Sequence, residues 1–155
     1  MKEGDLIPSF RLQNQNGEWV EMEDYIGKKG VVLFFYPKDH TPGCTREARA
    51  FNAQYDEFRK LGVELFGISG DDPKTHKSFC ERNSLSFPLL SDKGNKIRKA
   101  WKVPASFLGF LPGRVSYVID REGRIRKIIN SQFDMLRHIE ESLAAVKILK
   151  EKGKV

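Results

Sequence analysis

Hydrophobic and polar positions alternate between two rhythms along this chain. Phe10–Gln13 and Trp19–Met22 are short segments of strand character that flank Asn16-Gly17, a pair that favours the two-residue type I′ hairpin turn. Val31–Tyr36 and Val63–Ser69 contain little polar interruption and predict strands covered on both faces. Between them, Ala48, Phe51, Tyr55 and Phe58 repeat at helical spacing. They predict one helix over 42–61, with Thr41 as N-cap, Pro42 at its first position and Gly62 as its stop. Asp72 and Pro73 open a second helix reaching Asn83.

Phe87–Ser91 predicts a short strand, Asn95–Trp101 a short amphipathic helix, and 103–113 a loop punctuated by Pro and Gly. Arg114–Asp120 and Arg124–Asn130 predict strands joined through Arg121-Glu122-Gly123. Asp134 then caps a last helix carrying Leu136, Ile139, Leu143, Val146 and Leu149 on one face. Strands that alternate with helices imply a partly parallel sheet, and the hairpin adds antiparallel strands. The expected fold is α/β: a single domain over 1–155, a three-layer α/β/α sandwich around a mixed sheet with an N-terminal β-hairpin.

Composition narrows the function classes. The chain is 39% hydrophobic and 31% charged, ordinary for a globular protein. Its longest apolar run is far too short to span a bilayer, and residues 1–8 form no signal region. A cytoplasmic location is the default expectation, or an organelle if a presequence has been removed. The net charge is +6, and six basic residues with no acidic one fall between Lys93 and Arg114. Such a run suits an acidic partner, but without interleaved aromatics it reads as a solvated face, not a nucleic-acid platform. Two cysteines without a CxxC pair make neither a disulfide scaffold nor a zinc site.

One cysteine is placed for chemistry. Cys44 follows a buried strand at the start of a helix, where unpaired N–H groups and the helix dipole favour thiolate, the nucleophilic form. His40, His76, His138 and Asp39 read as loop or solvent-facing residues, and Trp19 and Trp101 as packing residues.

Pro37-x-x-x-Thr41-x-x-Cys44 resembles the active-site motif of peroxiredoxins, thiol peroxidases on a thioredoxin-like fold. The fuller Thr41-Pro42-Gly43-Cys44-Thr45-x-Glu47 is similar to the Q-type branch, also called bacterioferritin-comigratory protein. Leu111-Pro112-Gly113-Arg114-Val115-Ser116-Tyr117-Val118-Ile119-Asp120 resembles the strand bearing that family's arginine. The resemblance implies that Cys44 is the peroxidatic cysteine and that Pro37 shields it. It implies that the Thr41 hydroxyl bonds thiolate and peroxide, that Arg114 lies beside the sulfur, and that Glu47 holds Arg114. The N–H of Gly43 would face the substrate. The family's usual resolving position, five residues on, is Arg49 here. Cys80, on the next helix, matches the alternative resolving position of some Q-type members.

The resemblance thus implies reduction of hydrogen peroxide and organic hydroperoxides. The route is a Cys44 sulfenate and an intramolecular Cys44–Cys80 disulfide, formed after the first turn of the Cys44 helix unwinds and reduced by thioredoxin or a similar dithiol. No metal, haem or flavin is implied, and a monomer is expected, a weak homodimer being the alternative. Competing readings are a one-cysteine peroxidase with a structural Cys80, a thioredoxin-type disulfide oxidoreductase, and a basic binding module. Phe107, Leu108, Phe110 and Leu111 crowd one loop, as core packing or as an apolar collar at the site mouth.

Overall fold

The structure is a computed structural model describing residues 1–106 and 111–155. Its central sheet has seven strands: β1 (Arg11–Gln13), β2 (Trp19–Glu21), β3 (Gly30–Phe35), β4 (Val63–Ser69), β5 (Leu89–Ser91), β8 (Val115–Ile119) and β9 (Ile125–Asn130). They lie in the order β2-β1-β5-β4-β3-β8-β9. β3, β4 and β5 run parallel, and every other pairing is antiparallel. β6 (Ala105–Ser106) and β7 (Leu111–Pro112) form a separate two-stranded ladder where the sequence predicts only loop. The helices are α1 (Pro42–Ala53), α2 (Tyr55–Lys60), α3 (Pro73–Asn83), α4 (Lys96–Ala100) and α5 (Met135–Glu151).

The pleat of β3 sorts its side chains onto two faces, as period-two geometry requires. Val32, Phe34 and Tyr36 pack with residues of α1, α2, α3 and α5, while Val31, Leu33 and Phe35 pack with Phe10, Met22, Trp101 and Tyr117 on the opposite face. Both faces are buried, which is why β3 reads as an unbroken apolar run. The expected layered α/β fold with its N-terminal hairpin is the observed one.

Several local expectations need correction. The hairpin closes through residues 14–18, with Gly17 N–H donating to Asn14 O at 3.0 Å and positive φ at Gly17 but not at Asn16. A type I′ turn needs positive φ at both central residues, so the turn is not one. The single helix predicted over 42–61 breaks at Gln54, whose ψ of 6° leaves the helical range. The break lets both Tyr55 and Phe58 bury, with the Tyr55 hydroxyl donating to Glu64 at 2.7 Å. β5 starts later than predicted, after Pro88, which has no N–H to give a ladder.

Leu136 is 45% exposed, unlike Ile139, Val146 and Leu149 on the same helix. Trp19 is also exposed, beneath the Arg11 guanidinium, while Trp101 packs in the core. The loop side chains Phe107, Leu108 and Phe110, and that of Leu111, lie outside the described residues.

Candidate active site

The site forms where β3 ends. Tyr36 follows the strand's last residue, residues 37–41 turn, and Pro42 starts α1, so Cys44 is the third helical residue. Its N–H and that of Gly43 precede the first intrahelical bond, which runs from Thr45 N–H to Thr41 O at 2.9 Å. Cys44 is only 2% exposed.

Arg114 enters from the start of β8 and touches the sulfur directly. Its Nη1 donates to Cys44 Sγ at 3.4 Å and to Glu47 Oε1 at 2.9 Å, and its Nε donates to Gln132 O at 3.2 Å. Burial opposes the guanidinium charge, but Glu47 and the sulfur outweigh it and Arg114's pKa is raised. One buried cation is thus shared between a thiol and a carboxylate. The expected triad of Cys44, Arg114 and Glu47 is brought together.

Glycines make room for this approach. A Cβ on Gly43 would lie 3.1 Å from Arg114 Nη2 and 2.9 Å from Met135 Cε. One on Gly113 would lie 1.8 Å from the Pro104 carbonyl oxygen. A side chain at Gly113 would collide with backbone and displace the strand, and one at Gly43 would push on the Met135 tip and the guanidinium.

Glu47 is fully buried, and burial pushes its carboxyl up to about 7 against the opposing pull of Arg114. Its Oε2 has no hydrogen bond and lies 3.7 Å from His138 Nδ1. His138 is not solvent-facing as expected: it is wholly buried. Its Nε2 faces the Ser131 carbonyl at 2.7 Å, so Nε2 carries the hydrogen, and its Nδ1 meets Ser116 Oγ at 2.7 Å. Burial holds its pKa down, so the neutral ring accepts from Ser116 at Nδ1.

Thr41 occupies the N-cap position with extended backbone, but its side chain makes no cap bond. Its hydroxyl donates to Lys38 O at 2.8 Å. Pro37 lies half-buried at the head of the turn.

Cys80 lies on α3 as expected, 7% exposed in the same apolar cluster as Cys44, and both thiols are free. Burial, with Asp39 and Glu81 adding to it, pushes the Cys80 thiol up to about 12.

Besides His138, three buried groups escaped sequence reasoning. Arg98 donates to Gly113 O at 2.8 Å and to Tyr36 O at 3.1 Å, tying the residue before Pro37 to the residue before Arg114. Asp39 and His76, expected to be solvated, are 2% and 0% exposed, and His76 Nδ1 lies 2.6 Å from Asp39 Oδ2. Hydrophobic patterning cannot find such residues, because buried polar groups are defined by partners far away in sequence.

Comparison with known proteins decides the family. The model of the AhpC/TSA family matches residues 4–128. The chain belongs to the AhpC/TSA family. It is 48% identical over 149 residues to the chloroplastic peroxiredoxin Q of Populus jackii, covering 96% of this chain and 70% of that protein. The Gentiana triflora peroxiredoxin Q is 48% identical over 143 residues, covering 92% of this chain and 65% of its own length. Among solved structures, peroxidoxin BcpB from Mycobacterium tuberculosis superposes with a TM-score of 0.87 at 34% identity, covering 96% of this chain and 98% of that one. A cysteine variant of Xylella fastidiosa PrxQ gives 0.87 at 30% identity, with 96% of both chains covered. The chain is therefore a peroxiredoxin enzyme, with thiol peroxidase activity, a peroxide substrate and a thiol reductant. No helix among the described residues is long and apolar enough to cross a membrane.

Proposed function

We propose that this peroxiredoxin reduces hydrogen peroxide and organic hydroperoxides with Cys44 as nucleophile and Cys80 as resolving thiol. The observation carrying this reading is the Arg114 guanidinium donating at once to Cys44 Sγ and to buried Glu47. The thiolate attacks one peroxide oxygen, the O–O bond breaks, and the departing oxygen takes a proton to leave as water or alcohol. Cys44 becomes a sulfenic acid. Arg114 and the N–H groups of Gly43 and Cys44 stabilise charge as it builds on the departing oxygen. The Thr41 hydroxyl joins them by rotating away from Lys38 O, and Pro37 covers the sulfur without offering a competing donor.

The Cys80 thiol then displaces hydroxide from the Cys44 sulfenic acid, giving a disulfide, with its proton completing a water molecule. Buried and pushed up to about 12, Cys80 is inert until α3 or the first turn of α1 opens. Xanthomonas campestris Peroxiredoxin Q has been solved as cysteine-to-serine variants at two positions with the same separation along the chain as Cys44 and Cys80, which supports this pairing. A dithiol protein such as thioredoxin reduces the disulfide by exchange. No metal, haem or flavin takes part. The protein acts as a monomer in a thiol-reducing compartment, cytoplasm or organelle; the chloroplastic plant relatives favour testing the organelle by fractionation.

The competing reading, a one-cysteine peroxidase, draws on the burial of Cys80 in the core. Cys80→Ser separates the two. Loss of thioredoxin-linked cycling with the first turnover intact supports resolution by Cys80, and undiminished cycling refutes it.

A further inference from the structure

The loop carrying Pro37 and Thr41 is tied to the helix carrying Cys80 by a buried polar network that the chemistry above does not use. Asp39, in the middle of that loop, is its hub. Asp39 Oδ1 accepts from the Tyr36 hydroxyl at 2.6 Å, and its N–H donates to Asp71 Oδ2 at 2.9 Å. Asp39 Oδ2 meets His76 Nδ1 at 2.6 Å, and both side chains are wholly buried. His76 Nε2 faces the Leu90 carbonyl at 3.1 Å, so this nitrogen must carry a hydrogen. The Ser69 hydroxyl donates to Asp71 Oδ2 at 2.6 Å and completes the web.

The connectivity matters because of where each member sits. Tyr36 and Asp39 belong to the segment that positions the peroxidatic turn. His76 belongs to α3, four residues and so one helical turn before Cys80 on the same face. Asp71 and Ser69 belong to the segment that leads into α3. A second tie joins the same elements farther along, where Arg49 Nε of α1 donates to Asn83 Oδ1 at 2.8 Å. Opening α3, or pulling the 37–41 turn away from it, requires His76 to part from Asp39. Separation there leaves Asp39 Oδ2 and His76 Nδ1 without their 2.6 Å bond, while Asp39 keeps the Tyr36 hydroxyl and His76 keeps the Leu90 carbonyl.

We propose that the Asp39–His76 contact is a latch that holds the peroxide-reactive arrangement closed, and that its release is required for Cys80 to reach the Cys44 sulfenic acid. His76 is a positioning residue: it touches no reacting atom, and acts by keeping α3 docked on the peroxidatic turn. This inference rests on the resolving role assigned to Cys80 for its kinetic consequence, but not for its structural one.

The test uses two readouts on the reduced protein. Stopped flow with one equivalent of peroxide separates oxidation of Cys44 from the later disulfide step, and amide hydrogen exchange reports opening of residues 37–44 and 73–83. His76→Phe removes both bonds at similar size. The latch requires its disulfide step to accelerate roughly tenfold, the factor expected from losing one buried charge-assisted hydrogen bond, with faster exchange confined to those two segments. His76→Asn, whose amide nitrogen can stand in for Nδ1 toward Asp39, should recover most of the wild-type behaviour. If His76→Phe does not fold, Tyr36→Phe loosens the hub more gently and should move both readouts the same way by a smaller factor.

An unchanged or slower disulfide step in a folded variant overturns the latch, as does exchange that rises uniformly across the sheet. If wild type forms no disulfide, the resolving role of Cys80 fails. Exchange then decides alone: selective opening of 37–44 and 73–83 upholds the latch, and unchanged exchange overturns it.

Discussion

Two cysteines share one apolar cluster and both are buried, yet their surroundings are opposite. Cys44 stands at a helix start with a guanidinium 3.4 Å from its sulfur. Cys80 stands inside a helix, and the charged groups acting on it are Asp39 and Glu81, which together with burial push its thiol up to about 12. Burial alone would make either one inert. What separates them is the sign of the neighbouring charge and the availability of backbone N–H groups. In the proposed chemistry the first thiol reacts from the folded state, where cation and helix start already serve it, whereas the second awaits opening.

The largest effect should come from removing the ready thiol. Cys44→Ser is expected to reduce peroxide turnover to the background rate, whereas Cys80→Ser keeps single-turnover peroxide consumption and loses only cycling. Next comes the cation. Arg114→Ala should slow Cys44 oxidation by about 10²–10³-fold, the usual loss when one preorganised donor is removed from a developing anion. Arg114→Lys should recover only part of this, because an ammonium cannot reproduce the planar fork that serves sulfur, Glu47 and Gln132 at once. An Arg114→Ala enzyme as fast as wild type would remove the electrostatic difference between the two thiols as an explanation.

Alkylation sharpens the contrast under native conditions. Iodoacetamide at neutral pH should label Cys44 well before Cys80, as read by peptide mass, and the two rates should converge in denaturant where helix, arginine and acids no longer act. Equal native rates would contradict the assigned environments.

The fold was legible because its signals are local. The buried run of β3, the Pro42 start of α1, the Asp72 and Asp134 caps and the Gly62 stop all lie where pattern and cap chemistry put them. Cys44, Arg114 and Glu47 were legible as a motif, and the structure brings them into contact. Arg98, Asp39, His76 and His138 were not, since each is buried against at least one partner on another element and a charged residue in sequence looks solvated. The break at Gln54 was equally hidden, because Ala48, Phe51, Tyr55 and Phe58 keep helical spacing across it.

A smaller effect concerns Glu47, on the reactive side only. Its carboxyl is raised from 4.5 to about 7 in the folded protein, so the folded state holds this proton more tightly than the unfolded chain does. Its contribution to stability is therefore fully present below about 4.5 and is lost as pH climbs through about 7. Glu47→Gln should flatten that part of the denaturation-midpoint profile. It should also flatten the change in Cys44 oxidation rate across neutrality, because ionised Glu47 competes with the sulfur for Arg114's charge. Profiles identical to wild type in both measurements would place the titration elsewhere.

The most direct test of unequal thiols joined by opening is intact mass after one equivalent of hydrogen peroxide, taken on wild type, Cys80→Ser and Cys44→Ser. The expected result is a wild type lighter by two hydrogens, a Cys80→Ser protein heavier by one oxygen, and a Cys44→Ser protein unchanged. Oxidation of Cys44→Ser at Cys80 as fast as wild type reacts would contradict the assignment of Cys44 as the reactive sulfur.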